Sequence, residues 1–161
     1  MSTVVPDVLA FKETLSTFCS GVVVVTGLDG AEPVGMTCQS FTSLSLDPPL
    51  VSFAAARTST SWPRIRRGGA FAVSILAADQ AAVSASFAAS GADKFARHPW
   101  HPGATGPPLI DGALAHVECA LTVVHDAGDH QLVVGRVLAL STRKDATDPL
   151  LFFRSSYRYL R

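Results

Sequence analysis

Two long segments near the C-terminal end of the sequence, Leu114 to Asp126 and Gln131 to Leu140, most constrain the fold that this chain can adopt. In the first segment polar and apolar side chains alternate, which predicts a strand with one polar face. The second segment is mostly apolar, and Gly135 inside it indicates close approach by a backbone or a ligand. Residues 127–129, with the sequence AGD, predict the turn between them. The pattern therefore predicts a long antiparallel hairpin.

Shorter apolar runs along the rest of the chain predict further strands. Val22 to Thr26 is a continuous β-branched run, which is typical of a strand buried on both sides. The turn from Gly27 to Gly30 leads this strand back into a segment around Val34 and Met36, so the two segments form another hairpin. The remaining predicted strands are Leu50–Ala54, Ala70–Leu76 and Leu150–Phe153.

Three segments predict helices outside the sheet. The first begins with Asp7 as a cap, ends at Gly21 and repeats apolar residues at three- and four-residue spacings. This apolar face consists of Val8, Phe11, Leu15 and Phe18. The other two helices are a short one that follows Pro63 and ends at Gly68-Gly69, and an Ala-rich one at Asp79–Ala89. About seven strands, three of them joined by hairpins, with few helices favour a mainly β fold with peripheral helices, an antiparallel barrel, over a doubly wound sheet.

The length and the charge balance narrow the class of protein. A chain of 161 residues is most simply one domain, 1–161, with a single sizeable core. The 13 basic and 13 acidic residues cancel and form no basic stripe, which argues against nucleic acid or an anionic membrane as a partner. Only 16% of the residues are charged and 48% are apolar, so we expect apolar surface to be covered in a homodimer.

The cysteines and histidines do not indicate a metal site. Cys19, Cys38 and Cys119 are widely spaced, which fits neither a disulfide framework nor a zinc site. His98 and His101 lie close together in an irregular Pro- and Gly-rich segment with no third ligand nearby, so we expect no metal there. The N-terminal residues show no secretory signal and no apolar run is long enough for a membrane span, so we expect a cytoplasmic protein.

The stretch from Pro33 to Val51, PVGMTCQSFTSLSLDPPLV, is rich in small hydroxyl and amide side chains. Such a run is a weak strand, because these side chains compete with the backbone for hydrogen bonds. We interpret it as a loop between two strands that offers neutral donors to a planar heterocycle with many acceptors, such as a flavin. An ordinary Ser/Thr connection is the alternative.

Two further stretches suit an anionic ligand. Thr58 to Ser61 supplies hydroxyls just before a helix, with Arg57 nearby, which suits a phosphate, although a plain helix cap is the commoner explanation. In the turn at residues 91–95, Lys94 could meet a phosphate and Phe95 could cover a ring. Trp100 is expected to be a lid over a pocket or a dimer contact. No GxGxxG or P-loop motif is present.

The tripeptide GDH at residues 128–130 places a histidine at a tight turn that leads into a strand. It occurs together with GMTCQSF at 35–41, LSLDPPLV at 44–51 and DKF at 93–95. In order and spacing, these four motifs resemble the short-chain flavin reductases, the reductase components of two-component flavin-dependent monooxygenases. The resemblance extends from about Phe11 to Phe153. It implies the split β-barrel, Greek-key, FMN-binding fold.

The resemblance also implies a set of site residues. His130 would be the catalytic residue and would meet the nicotinamide or its phosphates. The residues that would bind the flavin ring and ribityl chain are Pro33, Val34, Gly35, Met36, Thr37, Gln39, Ser40, Ser43, Ala54, Ala55 and Ala56. The phosphate would be bound by Thr60 and Ser61, and the far side would be completed by Ser86, Phe87, Lys94 and Phe95. The segment expected to touch the pyridine nucleotide is Phe153, Arg154, Ser155 and Ser156.

The implied reaction is hydride transfer from NADH, with NADPH less favoured, to FMN or FAD, followed by delivery of reduced flavin to a partner oxygenase. The protein would stack the two rings about 3–3.5 Å apart and exclude water. Because only Arg57 and Lys94 offer positive charge, we expect the flavin to be an exchanging substrate.

Several alternatives stay open from the sequence. The same barrel could carry another oxidase activity, such as pyridoxamine-phosphate oxidation, or a deazaflavin-dependent reduction. It could also be a non-catalytic flavin or haem binder, with His116 or His125 as an axial ligand. A dimeric interaction domain is the third alternative.

Overall fold

The computed structural model describes residues 7–91, 93–145 and 148–160. Ala92 of the predicted turn, residues 146–147 of the loop before the last predicted strand, and the first six residues lie outside these ranges. The helices are α1 (Val8–Leu15), α2 (Trp62–Gly68), α3 (Ala81–Ala88) and α4 (Lys94–Arg97). The strands are β1 (Ser20–Gly21), β2 (Val23–Asp29), β3 (Glu32–Cys38), β4 (Thr42–Leu46), β5 (Pro49–Ala56), β6 (Ala70–Ile75), β7 (Trp100–Pro102), β8 (Pro108–Ile110), β9 (Ala115–Ala127), β10 (His130–Thr142), β11 (Leu151–Phe153) and β12 (Ser156–Arg158).

The main sheet contains seven strands in the order β3-β2-β6-β9-β10-β5-β4. Every pair of neighbours in it is antiparallel, and three pairs are hairpins: β2–β3, β4–β5 and β9–β10. Strands β3 and β5 are not neighbours in this order but still contact each other, which shows that the sheet curls. One core cluster contains side chains from six of these strands. The predicted mainly β class with peripheral helices is confirmed.

Strand β2 is buried on both faces, as its β-branched run predicts. Val23 and Val25 point into the main core, with Phe53 and Phe71. Val22, just before the strand, and Val24 point the other way into a second core beneath α3 and β11. Successive side chains of a strand alternate between its faces, so one continuous run joins the two cores.

The first helix is shorter than predicted. It ends at Leu15 instead of continuing to Ser20, and residues 20–21 form β1, which pairs with β11. The hydroxyls of Ser16 and Thr17 donate to backbone carbonyls of the preceding turn, which satisfies the helix end there. No residue of α1 is buried, and Phe11 on its apolar face is 57% exposed.

Most of the predicted Ser/Thr loop forms strands instead. Strand β3 continues to Cys38, only residues 39–41 are irregular, and residues 42–46 form the edge strand β4 paired with β5. Strand β4 lies at the edge of the sheet and most of its side chains are exposed, so the hydroxyls of Thr42 and Ser43 remain in solvent while the backbone pairs with β5.

The Pro- and Gly-rich segment after Arg97 is also more regular than predicted, because β7 pairs with β8. The turn between these strands is bound to Glu118, a residue on the predicted polar face of β9. Its carboxylate accepts hydrogen bonds from the Thr105 amide and hydroxyl, at 2.7 and 2.6 Å, and from the Ala104 amide at 3.2 Å. Burial acts to raise the pKa of Glu118, but these bonds outweigh it and the pKa is lowered.

Strand β12 is absent from the sequence-based expectations. It follows a turn in which Arg154 and Ser155 both have positive φ angles, 48° and 59°. Because non-glycine residues seldom adopt this conformation, their sequence did not indicate a turn. None of the helices in the described part of the chain is long and apolar enough to cross a membrane.

Candidate active site

A groove of about 540 Å³ opens where the C-terminal ends of β3 and β5 approach the end of α3. The segment that connects β5 to α2 forms one wall, and the first residue of β10 closes one end. The lining residues are Met36, Thr37, Cys38, Gln39, Ser40, Ala54, Ala55, Ala56, Thr58, Ser59, Thr60, Ser61, Phe87, Ala88, Ala89, Ser90, Lys94 and His130.

A second groove, of about 820 Å³, adjoins the first. The two share four lining residues, Thr60, Ser61, Ser90 and Lys94, so together they form one extended surface. The second groove is completed by Glu32, Pro33, Val34, Gly35, Arg64, Gly91, Asp93 and Phe95.

Most of the site residues predicted from the resemblance line these grooves. Six of them do not: Ser43, Ser86, Phe153, Arg154, Ser155 and Ser156. Ser43 lies on the edge strand β4, and the Ser86 hydroxyl lies 2.8 Å from Nε2 of His98. The turn at residues 153–156 is held against the end of α1, where the Arg154 amide donates to the carbonyl of Ser16 at 2.8 Å.

The hydroxyl groups on the β3 side are already bound to the protein. Thr37 donates to the carbonyl of Ser84 at 2.6 Å, which ties β3 to α3. The Ser40 hydroxyl accepts from the Ala54 amide at 2.8 Å and donates to the Ala54 carbonyl at 3.2 Å. These hydroxyls therefore build the groove wall, and they differ in this from the free donors that we expected for a flavin ring.

Hydroxyls that make no hydrogen bond within the described residues lie instead before α2 and after α3. They belong to Thr58, Thr60, Ser61 and Ser90, and all line the first groove. The hydroxyl of Ser59, between them, accepts a hydrogen bond from the amide of Trp62, the first residue of α2, at 3.1 Å. Uncommitted hydroxyls at the junction of two grooves are suited to a phosphate or to ribityl oxygens.

Lys94 brings a cation to this junction. The residue is only 8% exposed, and its Nζ donates to the carbonyls of Gly35 and Phe87 at 3.2 and 3.1 Å. Burial lowers the pKa of Lys94. An ammonium group has three donors, so one remains for a ligand in the grooves that Lys94 lines.

Arg57, for which the sequence suggested a phosphate role, lies outside the lining of both grooves. Its guanidinium group instead donates to the carbonyl of Gly128 at 3.0 Å and pairs with the Asp126 carboxylate at 2.8 Å. The charge of Arg57 is therefore directed at the β9–β10 turn.

His130 lies at the rim of the first groove as the first residue of β10, opposite Ala127 across the predicted tight turn. Its Nδ1 lies 2.7 Å from the Asp129 carboxylate, and this hydrogen bond lowers the pKa of Asp129. On β5 the paired residue is Ala56, which also lines the groove. The imidazole is thus placed beside the part of the groove lined by residues 54–56.

Sequence reasoning missed part of the lining. Thr58 and Ser59 were expected only as part of the hydroxyl run 58–61 that suits a phosphate, and the site residues implied by the resemblance did not include them. The other missed residues are Glu32, Cys38, Arg64, Ala88, Ala89, Ser90, Gly91 and Asp93. Cys38, Gly91 and Asp93 lie within the motifs and the turn that the sequence singled out. Arg64 on α2 and residues 88–90 at the end of α3 carry no local signal, because only the packing of these helices against β3 brings them to the grooves.

The arrangement fits a flavin. Residues 54–56 and Phe87 provide apolar wall, uncommitted hydroxyls lie at the junction of the grooves, and Lys94 is the cation beside them. A small-molecule site commonly combines such apolar lining with a few convergent polar groups, within about 300–1,000 Å³.

Comparison with known proteins agrees with this geometry. A family model described as flavin reductase like domain matches residues 15–161. The chain is 45% identical over 151 residues to HsaB, the reductase subunit of a flavin-dependent monooxygenase from Rhodococcus jostii (strain RHA1), covering 94% of this chain and 77% of that protein. It is 42% identical over 143 residues to the FMN reductase (NADH) SmoA from Agrobacterium fabrum (strain C58 / ATCC 33970), covering 89% and 80%.

A solved structure has the same fold. The crystal structure of nitrilotriacetate monooxygenase component B from Mycobacterium thermoresistibile matches with a TM-score of 0.92 at 45% identity, over 95% of this chain and 86% of that one. This match confirms the predicted flavin reductase-like fold. With the family model matching most of the chain, this protein belongs to the flavin reductase-like family.

Proposed function

We propose that this protein is an NADH-dependent flavin reductase that reduces FMN or FAD and supplies the reduced flavin to a partner oxygenase. The observation that carries the proposal is the groove in which an apolar wall, uncommitted hydroxyls, one buried cation and His130 converge. The sequence-based prediction of a flavin reductase is confirmed by the family and by relatives named as monooxygenase reductase subunit and as FMN reductase (NADH).

When bound, the flavin supplies the electron-accepting ring, and NADH supplies the hydride. The chain's own contribution is placement and exclusion of water. Residues 54–56 and Phe87 form the apolar surface against which a ring lies, and Thr60 and Ser61 offer hydroxyls to its phosphate. His130, at the rim, orients the nicotinamide over the ring. Holding two reactants in such an arrangement can supply several kcal/mol of the activation barrier.

The way in which the cations are held supports an exchanging flavin. Arg64, in the second groove, pairs with Asp29 at 2.9 Å and with Glu32 at 2.7 Å. Lys94 has two of its three donors bound to carbonyls. A flavin phosphate therefore meets mainly neutral hydroxyls, whose hydrogen bonds are weaker than charge-assisted ones. This favours release of reduced flavin to an oxygenase.

The proposal also includes a single domain that acts in the cytoplasm as a homodimer. Two apolar faces support the homodimer. One is on α1 and continues to Phe18, which is 79% exposed, and the other includes Leu46 on β4, which is 94% exposed. Within the described residues nothing packs over either side chain, and a second copy of the chain would cover such faces.

The test is the oxidation of NADH by the purified protein under air, with and without added FMN or FAD. We expect a rate that requires free flavin, saturates with it and falls in the His130→Asn variant. Flavin binding without NADH oxidation would contradict the proposal and favour a flavin-binding module. The haem alternative has no open ligand at His116, because its Nε2 lies 2.9 Å from the Ile110 carbonyl and its Nδ1 lies 3.1 Å from the Ser141 hydroxyl.

A further inference from the structure

Within the described residues, Arg57 makes the hydrogen bonds that connect the turn before His130 to β5. The Arg57 amide donates to the carbonyl of Asp129 at 2.9 Å, which extends the β5–β10 ladder into the turn. Its Nε donates to the carbonyl of Gly128 at 3.0 Å, and its terminal nitrogen pairs with Asp126 at 2.8 Å. Arg57 thus contacts the strand before the turn and both residues of the turn.

A second support meets the first at Asp126. Trp62, 2% exposed at the start of α2, donates from its indole nitrogen to Oε1 of Gln131 at 2.9 Å. The amide of the same Gln131 side chain donates to Asp126 at 3.2 Å. The hydrogen bond from Gln131, together with the charge of Arg57, lowers the pKa of Asp126. The carboxylate therefore stays ionised and links the two supports.

From these contacts we propose that Arg57 is a positioning residue, which sets the place of His130 at the groove through the turn and through Asp126. This inference rests on the proposed function, since it concerns how the nicotinamide is oriented. The only hydrogen-bond partner of the His130 side chain within the described residues is Asp129, whose own side chain is 95% exposed. The backbone of the turn therefore decides where the imidazole lies.

The competing role for Arg57 is direct binding of a nucleotide phosphate. Two of its three guanidinium nitrogens are already engaged by the turn and by Asp126, and the residue lines neither groove. A guanidinium fixed in two directions is well suited to holding a backbone in place.

The experiment compares Arg57→Gln with Arg66→Gln. Arg66 is exposed on α2, contributes a positive charge near Asp126 and makes no hydrogen bond to the turn, so its variant is the matched control for charge. The hydride donors are NADH and reduced nicotinamide riboside, which carries no phosphate. We expect kcat/KM to fall about tenfold with both donors in Arg57→Gln, since small misplacements of reacting groups are costly. The flavin dissociation constant should stay unchanged, and Arg66→Gln should resemble the wild-type protein.

Two further measurements separate positioning from general instability. In Asp126→Asn we expect a smaller loss of kcat/KM than in Arg57→Gln. The double variant Arg57→Gln/Asp126→Asn should have the same kcat/KM as Arg57→Gln alone, because both residues act through one network. The imidazole resonances of His130 should shift in Arg57→Gln and not in Arg66→Gln, which reports the position of the ring without relying on turnover.

A loss seen with NADH and absent with the riboside would identify Arg57 as a phosphate ligand and overturn the proposal. Unchanged His130 resonances in Arg57→Gln would overturn it as well. A wild-type protein that binds flavin and does not oxidise NADH would instead refute the proposed function, and the resonances would still show whether Arg57 places the ring.

Discussion

Lys94 on α4 donates a hydrogen bond from its Nζ to the carbonyl oxygen of Gly35 on β3, at 3.2 Å. With the second bond to Phe87, at 3.1 Å, the side chain joins α4 to β3 and to the end of α3. Lys94→Met would leave both carbonyls without this donor. Because an unsatisfied buried carbonyl is costly, we expect the free energy of unfolding to fall by about 2 kcal/mol in urea titrations.

The control for this change is Lys12→Met. Lys12 is exposed on α1 and its side chain makes no hydrogen bond within the described residues, so its replacement should change stability by less than about 0.5 kcal/mol. Equal free energies of unfolding for the two variants would show that the hydrogen bonds from Lys94 to the carbonyls of Gly35 and Phe87 do not stabilise the fold.

The uncommitted hydroxyl of Thr60 predicts a phosphate-dependent effect on flavin affinity. In Thr60→Val we expect the affinity for FMN to fall by up to about tenfold, the value of one lost hydrogen bond of about 1.4 kcal/mol, and the affinity for riboflavin to stay unchanged. Quenching of flavin fluorescence measures both. Thr42→Val, on the exposed strand β4, is the control. An equal loss of affinity for FMN and for riboflavin would show that Thr60 contributes to the site of the flavin ring and not to that of the phosphate.

Gly135 on β10 is required by side-chain packing. A Cβ there would overlap the ring of Phe71 and lie 3.0 Å from Cβ of Cys119, so the close neighbours are side chains, and not the backbone or ligand that the sequence suggested. We expect Gly135→Ala to lower the free energy of unfolding by about 1–3 kcal/mol.

A second change tests this explanation. Combining Gly135→Ala with Phe71→Leu removes the ring tip, so the alanine should cost less in that background than alone. Gly21→Ala, where a Cβ meets nothing within 4 Å, should be neutral. If Gly135→Ala lowered the free energy of unfolding equally with and without Phe71→Leu, overlap with the Phe71 ring would not be the cause.

Asp29 predicts a pH-dependent contribution to stability. Hydrogen bonds from Arg67 and Arg64 lower its pKa from 3.8 to about 2. A carboxyl group whose pKa is lower in the folded state stabilises the protein above its unfolded pKa, and this contribution is lost as the pH falls toward the folded value. The stability difference between wild type and Asp29→Asn should therefore be constant near neutral pH and shrink from pH 4 toward pH 2.

Urea titrations at pH 6, 4 and 3 measure this difference. Asp79→Asn changes an exposed carboxylate that makes no hydrogen bond within the described residues and is the reference for general acid effects. A difference for Asp29→Asn that does not depend on pH would contradict the assignment of its charge to the ion pairs.

Local rules predicted the elements that depend on neighbouring residues. Gly128, with a φ of 65°, allows the tight turn of the predicted β9–β10 hairpin, and Gly69, with a φ of 70°, ends α2 as predicted. The predicted end of α1 was wrong. The hydroxyl of Ser16 offers the backbone an alternative hydrogen-bond partner, and the spacing of apolar residues does not reveal this.

The sequence by itself determined the longer strands β2, β5, β6, β9 and β10, the β2–β3 and β9–β10 hairpins and the motifs that indicate the family, because alternation, turns and spacing are properties of adjacent residues. Only the tertiary structure decided which polar groups are free for a ligand. Thr37 and Ser40 are bound by Ser84 and Ala54, partners 47 and 14 residues away, and Arg57 is directed to a turn 71 residues away. Such pairings arise when distant segments pack together, so no local pattern in the chain predicts them.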